Sequence, residues 1–245
     1  MPIERSNNYD LIQNLKFCHV SGRYFGSQLN DFYQEVYHFW KAQWLNAFNE
    51  INTEFSNNSE EFCRHSDITA LLYKDKVVAI TLLDVFDISN SVHTDHKYFS
   101  CYPADVLKLA KDLSGGAPVF TAGYLAIDPN FRKNYQLADV ILGLAVKRLS
   151  ESPFKIMLTY TRNTRKTHEL TYRLGAKSFQ QGVKIRGEDS DFVYFDHSSM
   201  DLVRNNEAYP LIEALWQQQI ADPLINYNLK NEKQFIGEYN EQPQF

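Results

Sequence analysis

Nowhere in the 245 residues is there an apolar run near the roughly 20 residues that a membrane-crossing helix needs. The first ten residues, MPIERSNNYD, are polar and lack the apolar stretch of a secretory signal. Cysteine is scarce: Cys18, Cys63 and Cys101 are three, odd in number and without a CxxC pair. That argues against a disulfide framework and suits a protein kept in a reducing cytoplasm. No excess of positive charge exists either, since 25 Lys and Arg face 30 Asp and Glu. A net charge of −5 argues against a general nucleic-acid binder, which needs concentrated cations to displace counterions from phosphates. Internal repeats, linkers and low-complexity stretches are missing, so residues 1–245 read as one domain. What is abundant is aromatic residues, 17 Phe and 15 Tyr, which either fill a core or line a pocket for an apolar group.

Along the chain, Leu15 to Val20 fits a short strand or a helix end. Phe32, Val36, Phe39, Trp40, Trp44 and Phe48 recur at helical spacing and predict an amphipathic helix over 31–51. Residues 52–66 read as loop. Two β-like runs, 68–73 and 77–86, flank the turn Lys74-Asp75-Lys76 and predict an antiparallel hairpin. Residues 88–102 are polar and read as loop. Pro103 then opens a helix that Gly115-Gly116 closes. A strand over 119–127 is broken by Asp128-Pro129-Asn130, and Leu137, Val140, Ile141, Leu144, Ala145 and Leu149 mark one face of a helix. A strand over 155–161, a helix from about 164 to 174 ended by Gly175, a hairpin over 183–187 and 191–196, and a last helix over 206–221 complete the order. The tail after Pro223 reads as surface. A strand, helix and second strand in succession demand a parallel pair with a right-handed crossover, whereas the hairpins add antiparallel strands. The fold class is therefore α/β (α+β), with a mixed, mostly antiparallel sheet, a central parallel pair and flanking helices.

Three stretches carry chemical interest. The first is YLAIDPNFRK (124–133), in which Arg132 and Lys133 precede a helix start. Unpaired N–H groups and the helix dipole make such a start a phosphate site, and the two cations add to it. The second is Asn163, just after the strand that follows. The third is THELTYRLGA (167–176), where His168 and Tyr172 lie one helical turn apart on one face. Asp84 and Asp87, leaving a strand, are candidates for a general base. The set His93, Asp95 and His96 has metal-ligand chemistry but no matching partners, so no metal is expected.

In order of elements and in these stretches the chain resembles the GCN5-related N-acetyltransferase (GNAT) superfamily over roughly 68–196. The His168-x-x-x-Tyr172 pair is similar to its N-acyl amino acid synthase branch. The resemblance implies an N-acyltransferase that moves an acyl group from a pantetheine thioester to a small-molecule amine acceptor. The donor would be acyl-CoA (acetyl-CoA) or the acyl-phosphopantetheine of an acyl carrier protein. It implies that the backbone of Leu125, Ala126 and Ile127 pairs with the pantetheine arm. Arg132, Lys133, Asn134, Tyr135, Gln136, Leu137 and Ala138 would face the pyrophosphate, and Asn163 would bond the arm. Tyr172 would protonate the thiolate, with Asp84 and His168 as further catalytic candidates. One departure stands out. Counting from Arg132, the family's two glycine positions hold Tyr135 and Leu137, whose side chains would crowd the approach to a pyrophosphate. The alternative is a GNAT-fold module that binds without turnover. The N-terminal helix and the C-terminal helix would cover the acceptor site or form a homodimer contact.

Overall fold

The computed structural model describes residues 14–24, 26, 30–51, 59–132 and 136–221. The expected polar tail after Pro223, the loop residues 52–58 and the donor-loop residues Lys133, Asn134 and Tyr135 lie outside the described residues. Eight strands run β1 (Leu15–Val20), β2 (Asp67–Tyr73), β3 (Lys76–Phe86), β4 (Val119–Ile127), β5 (Ile156–Arg162), β6 (Lys177–Ile185), β7 (Glu188–Asp196) and β8 (Ile220–Ala221). Their order in the sheet is β6-β7-β5-β4-β3-β2-β1-β8. β4 and β5 form the expected central parallel pair, while β1–β2, β2–β3, β5–β7 and β6–β7 are antiparallel. A second parallel contact, β8 on β1, was not expected. The eight α-helices among the described residues are α1 (Asn30–Asn49), α2 (Ser59–Cys63), α3 (Ser91–Thr94), α4 (Ala104–Ser114), α5 (Leu137–Ser150), α6 (Thr167–Arg173), α7 (Ser199–Arg204) and α8 (Tyr209–Gln217).

Long periodic segments came out as expected, and the hairpin turn takes positive φ at Lys74 (49°) and Asp75 (64°), the twist that suits two antiparallel strands. Four readings are corrected. Residues 59–63 are helical, with Glu60 and Glu61 in the first turn, where the helix dipole favours anions. Residues 88–102 hold α3 and a 3₁₀ turn, because Asn90 and His96 accept the N–H groups of Val92 and Tyr98 and so cap two short turns. β6 begins at Lys177, six residues earlier than expected; its polar run is mostly exposed on an edge strand. The last helix, expected over 206–221, is only Tyr209–Gln217: Asn206 Oδ1 accepts the Ala208 N–H (2.8 Å) in a turn, Pro210 opens α8, and Ile220–Ala221 form β8 instead.

The described residues divide into two compact units, the first made of those up to 84, from 122 to 145 and from 204 to 221, and the second of those from 85 to 121 and from 146 to 203. In the first, Val36 and Trp40 of α1 pack with Phe62, Ile68, Ala70, Ile80, Leu82 and Ala126. In the second, Phe99, Tyr102, Val106 and Ala110 pack with Val119, Ile156, Leu158 and Phe192. There the rings pack on one another, Tyr102 and Phe192 with centroids 4.6 Å apart. Four crossings between units fall inside β3, β4, α5 and α7 rather than in linkers, where independent domains are normally joined. On this ground we propose that residues 1–245 form one domain. Calorimetry should then show one endotherm with a van't Hoff to calorimetric enthalpy ratio of about 1; two separated endotherms would refute it.

Candidate active site

β4 pairs with β5 at Phe120–Met157 and Thr121–Leu158. Three residues further on, Tyr124 has φ 55°, a left-handed conformation that a bulky side chain adopts only under constraint. Its cost is roughly 1–2 kcal/mol. The constraint is visible within the first unit. The Thr81 hydroxyl donates to Gly123 O (3.2 Å), Trp44 Nε1 donates to Tyr124 O (3.2 Å), and the Tyr124 hydroxyl donates to Glu61 Oε1 (2.6 Å). Trp44, Trp40 and His65 meet the Tyr124 ring edge to face at 4.9, 5.8 and 5.7 Å.

Beneath the kink lies an ionic group. Arg64 bonds Glu61 (2.7 Å) and Asp84 (3.2 Å), all three side chains less than a fifth exposed. Burial alone would raise the Glu61 carboxyl, but hydrogen bonds from Arg64 and Tyr124 outweigh it and hold it at about 2. His65 is pushed down to about 3 by burial and by the Arg64 charge, so its ring is neutral. Asp84, the expected base candidate, is thus the partner of a guanidinium.

Downstream, Arg132 Nε donates to Ile127 O (3.0 Å) and Gln136 Nε2 to Glu207 (3.0 Å), and both side chains are exposed. Leu125 and Ile127 are half-buried and Ala126 is buried. Leu137 is 1% exposed, its side chain taken into the core, and Ala138 is half-buried beside it. Asp139, in the first turn of α5, is buried and accepts from Asn206 Nδ2 (3.1 Å). A carboxylate there already offsets the partial positive charge that a phosphate would use.

The second unit brings together three of the residues singled out in the sequence. The Tyr172 hydroxyl donates to Asp191 Oδ2 (2.7 Å), while Asn163 Nδ2 and the Gly182 N–H donate to Asp191 Oδ1 (3.0 and 2.9 Å). Gln181 Nε2 donates to the Tyr172 oxygen (3.1 Å). The His168 ring stands edge to face with Tyr172 at 6.4 Å, its Nδ1 buried and without a hydrogen-bond partner. Burial and the hydrogen bond to Asp191 push the Tyr172 phenol above its ordinary value. Burial would lift Asp191, but bonds from Asn163, Tyr172 and Gly182 keep it below the ordinary aspartate value. Gly175 ends α6 at φ 93°, and a Cβ there would meet Ser199 Cα at 2.9 Å, so only glycine fits. His93 and His96 accept backbone N–H groups of Asp87 (2.7 Å) and Tyr98 (3.1 Å). Among the described residues no three His, Cys, Asp or Glu side chains could hold a metal.

Asp191, Gln181, Tyr124 and Glu61 escaped the sequence reading. Asp191 was visible only as a carboxylate heading an apolar strand, and its β5 partner, Thr161, is set by register. Nothing in the sequence marks Tyr124 as left-handed.

Solved structures share this architecture. BjaI, a CoA-dependent acyl-homoserine lactone synthase solved with SAM and isopentyl-CoA, superposes with TM-score 0.56 at 9% identity, covering 87% of this chain and 98% of that one. The same protein with MTA gives 0.55 at 8% over the same shares. The polyamine N-acetyltransferase of Drosophila melanogaster gives 0.52 at 12%, over 75% of this chain and 100% of that one. The chain has the GNAT fold. No protein-family model matches the sequence, and no curated protein matches it. The GNAT likeness therefore rests on backbone, not on shared side chains. Among the described residues no helix is long and apolar enough to cross a membrane.

Buried, ionised Glu61 links stability to pH. Its carboxyl is lowered in the folded state, so its contribution is complete above about 4.5 and vanishes as pH falls through about 2. The shift corresponds to about 3 kcal/mol. His65 acts in the same direction, because the unfolded ring takes its proton near 6.5 and the folded ring near 3. Denaturant melts of Glu61→Gln should show a loss of about 1–3 kcal/mol at pH 7 and a flatter decline below pH 4.5. Equal pH dependence in variant and wild type would remove Glu61 from this role.

Proposed function

We propose that the protein is an N-acyltransferase that moves an acyl group from a pantetheine thioester, CoA first, to a small-molecule amine. β4 carries the reading. It pairs with β5 at Phe120 and Thr121 and then bends at Tyr124, a bulge-like device of the kind that re-aims backbone groups at active sites. Leu125, Ala126 and Ile127 follow the bend and would pair with the pantetheine arm, with the Ile127 carbonyl also accepting from Arg132 Nε (3.0 Å). What the structural neighbours bind supports a CoA donor, since BjaI was solved with isopentyl-CoA. Their acceptors support an amine, since the Drosophila enzyme forms N-acetylagmatine.

In this reading the amine nitrogen attacks the thioester carbonyl and gives up a proton to solvent, the C–S bond breaks, and Tyr172 gives its proton to the departing thiolate. Arg132, Lys133, Asn134 and Tyr135 would supply what phosphate contact there is, with Gln136 and Ala138 at the helix start. Leu137 is turned into the core, and Asp139 weakens the anion site, so the pyrophosphate contributes less than in a glycine-rich loop. A carrier-protein donor, which presents no nucleotide, fits that weakness. The second reading, a module that binds without turnover, draws on Tyr172, whose single proton is committed to Asp191.

Acyl-CoA at 100 times its dissociation constant should raise the melting temperature by roughly 5–10 °C. Acyl carrier protein thioesters stabilising the chain where CoA thioesters do not would reassign the donor, and failure of both would sink the acyltransferase reading. Tyr172→Phe should lower turnover by about 10²-fold or more with donor affinity unchanged. Unchanged turnover would take the acid role from Tyr172.

A further inference from the structure

We infer that Asp191 is a positioning residue, holding the Tyr172 phenol and the Asn163 amide in place through one buried carboxylate. The inference rests on the acyltransferase reading for its role in turnover, but its geometry stands apart from it. Asp191 is 3% exposed and lies opposite Thr161 in the β5–β7 register. Its two oxygens accept three donors from three different segments: Asn163 after β5, Tyr172 on α6 and Gly182 on β6. β6 reaches it by breaking its own ladder. Pairing with β7 shifts between Gln180 and Val183, and Gly182 sits at φ 67° inside that irregularity. The disruption frees the Gly182 N–H for Asp191 and brings Gln181 to the Tyr172 oxygen. A strand that gives up ladder bonds to serve one carboxylate and one phenol is spending stability on placement.

The chemistry follows from these bonds. With no thiolate present, the phenol is fixed by donating to Asp191. A departing thiolate, carrying full charge, competes for the same proton. When the O–H bond breaks and the S–H bond forms, the phenolate is left with the Gln181 N–H on its oxygen until solvent returns a proton. The titratable groups that face the phenol are Asp191 on β7 and His168 on its own helix; Ser178 and Gln181 on β6 and Asn163 are neutral.

The test is a mutant cycle with Asp191→Asn and Tyr172→Phe, read by turnover and by titration of tyrosine labelled at Cζ, the Tyr172 signal being assigned by its loss in Tyr172→Phe. In Asp191→Asn the phenol loses its acceptor and the neighbouring charge. Its midpoint should therefore fall, the basic limb of the kcat profile should move to lower pH, and kcat should drop about tenfold or more, with donor KM rising as the Asn163 amide loses its anchor. In the Tyr172→Phe background the same substitution should add less than about twofold. A midpoint unmoved by Asp191→Asn overturns the inference whether or not the chain is an acyltransferase. An undiminished loss in the Phe background overturns it too, since Asp191 would then be merely structural. If wild type binds no thioester while the midpoint moves, the acyltransferase reading fails and the Asp191–Tyr172 coupling stands. Should Asp191→Asn fail to fold, Gln181→Leu, on an exposed stretch, should raise the phenol midpoint and lower kcat several-fold. No change in either overturns the arrangement.

Discussion

A tyrosine at φ 55° in the middle of a strand is not a conformation that the chain would choose, and the first unit is arranged around keeping it. Trp44 donates to its carbonyl, Thr81 to the carbonyl before it, and Glu61 takes its hydroxyl. The Glu61 carboxylate must itself be ionised and buried to do so, which requires Arg64, and Arg64 in turn takes Asp84. A strain of roughly 1–2 kcal/mol is thereby tied to an ion-pair group whose loss on one side costs at least as much. Relaxing the kink would take one of the hydrogen bonds from the buried Glu61 carboxylate, which favours the bend in β4.

A second buried carboxylate performs the same kind of work in the other unit. Asp191, like Glu61, is kept charged by donors rather than by solvent, and each fixes a tyrosine hydroxyl: Tyr172 at 2.7 Å and Tyr124 at 2.6 Å. The difference lies in the counter-charge. Glu61 has a guanidinium and is locked, whereas Asp191 has neutral donors and His168, whose Nδ1 is unpartnered. An arrangement of neutral donors is easier to perturb by a charge arriving nearby, which is what a thiolate would be.

The sequence made the sheet legible wherever periodicity was strong: the β2–β3 hairpin, the β4–α5–β5 crossover and α1 all follow from apolar spacing. Polar capping was invisible to that reading, because Asn90 and His96 look like loop residues until their side chains are seen to accept N–H groups. Of the site, His168, Tyr172 and Asn163 could be named because they sit on elements that sequence can place. The partner shared by Tyr172 and Asn163 could not, since Asp191 reaches them through a register between β5 and β7 and an irregularity in β6 that depend on tertiary pairing. Tyr124 was similarly hidden, because the forces that hold it come from α1, α2 and β3, which are distant in sequence.

Leu137 was read as a side chain in the way of a phosphate, and its burial alters the reason for the departure rather than the departure itself. With Leu137 in the core, charge is what opposes an anion at the helix start: Asp139 stands in its first turn, held by Asn206. A helix start that carries its own buried carboxylate is already satisfied as an anion site, and a dianionic pyrophosphate would have to bind against it. In the proposed acyltransferase, affinity for a pantetheine donor would then come less from the pyrophosphate and more from neutral hydrogen bonds along the arm. Donor binding of that kind depends little on ionic strength, whereas phosphate-led binding weakens steeply with salt.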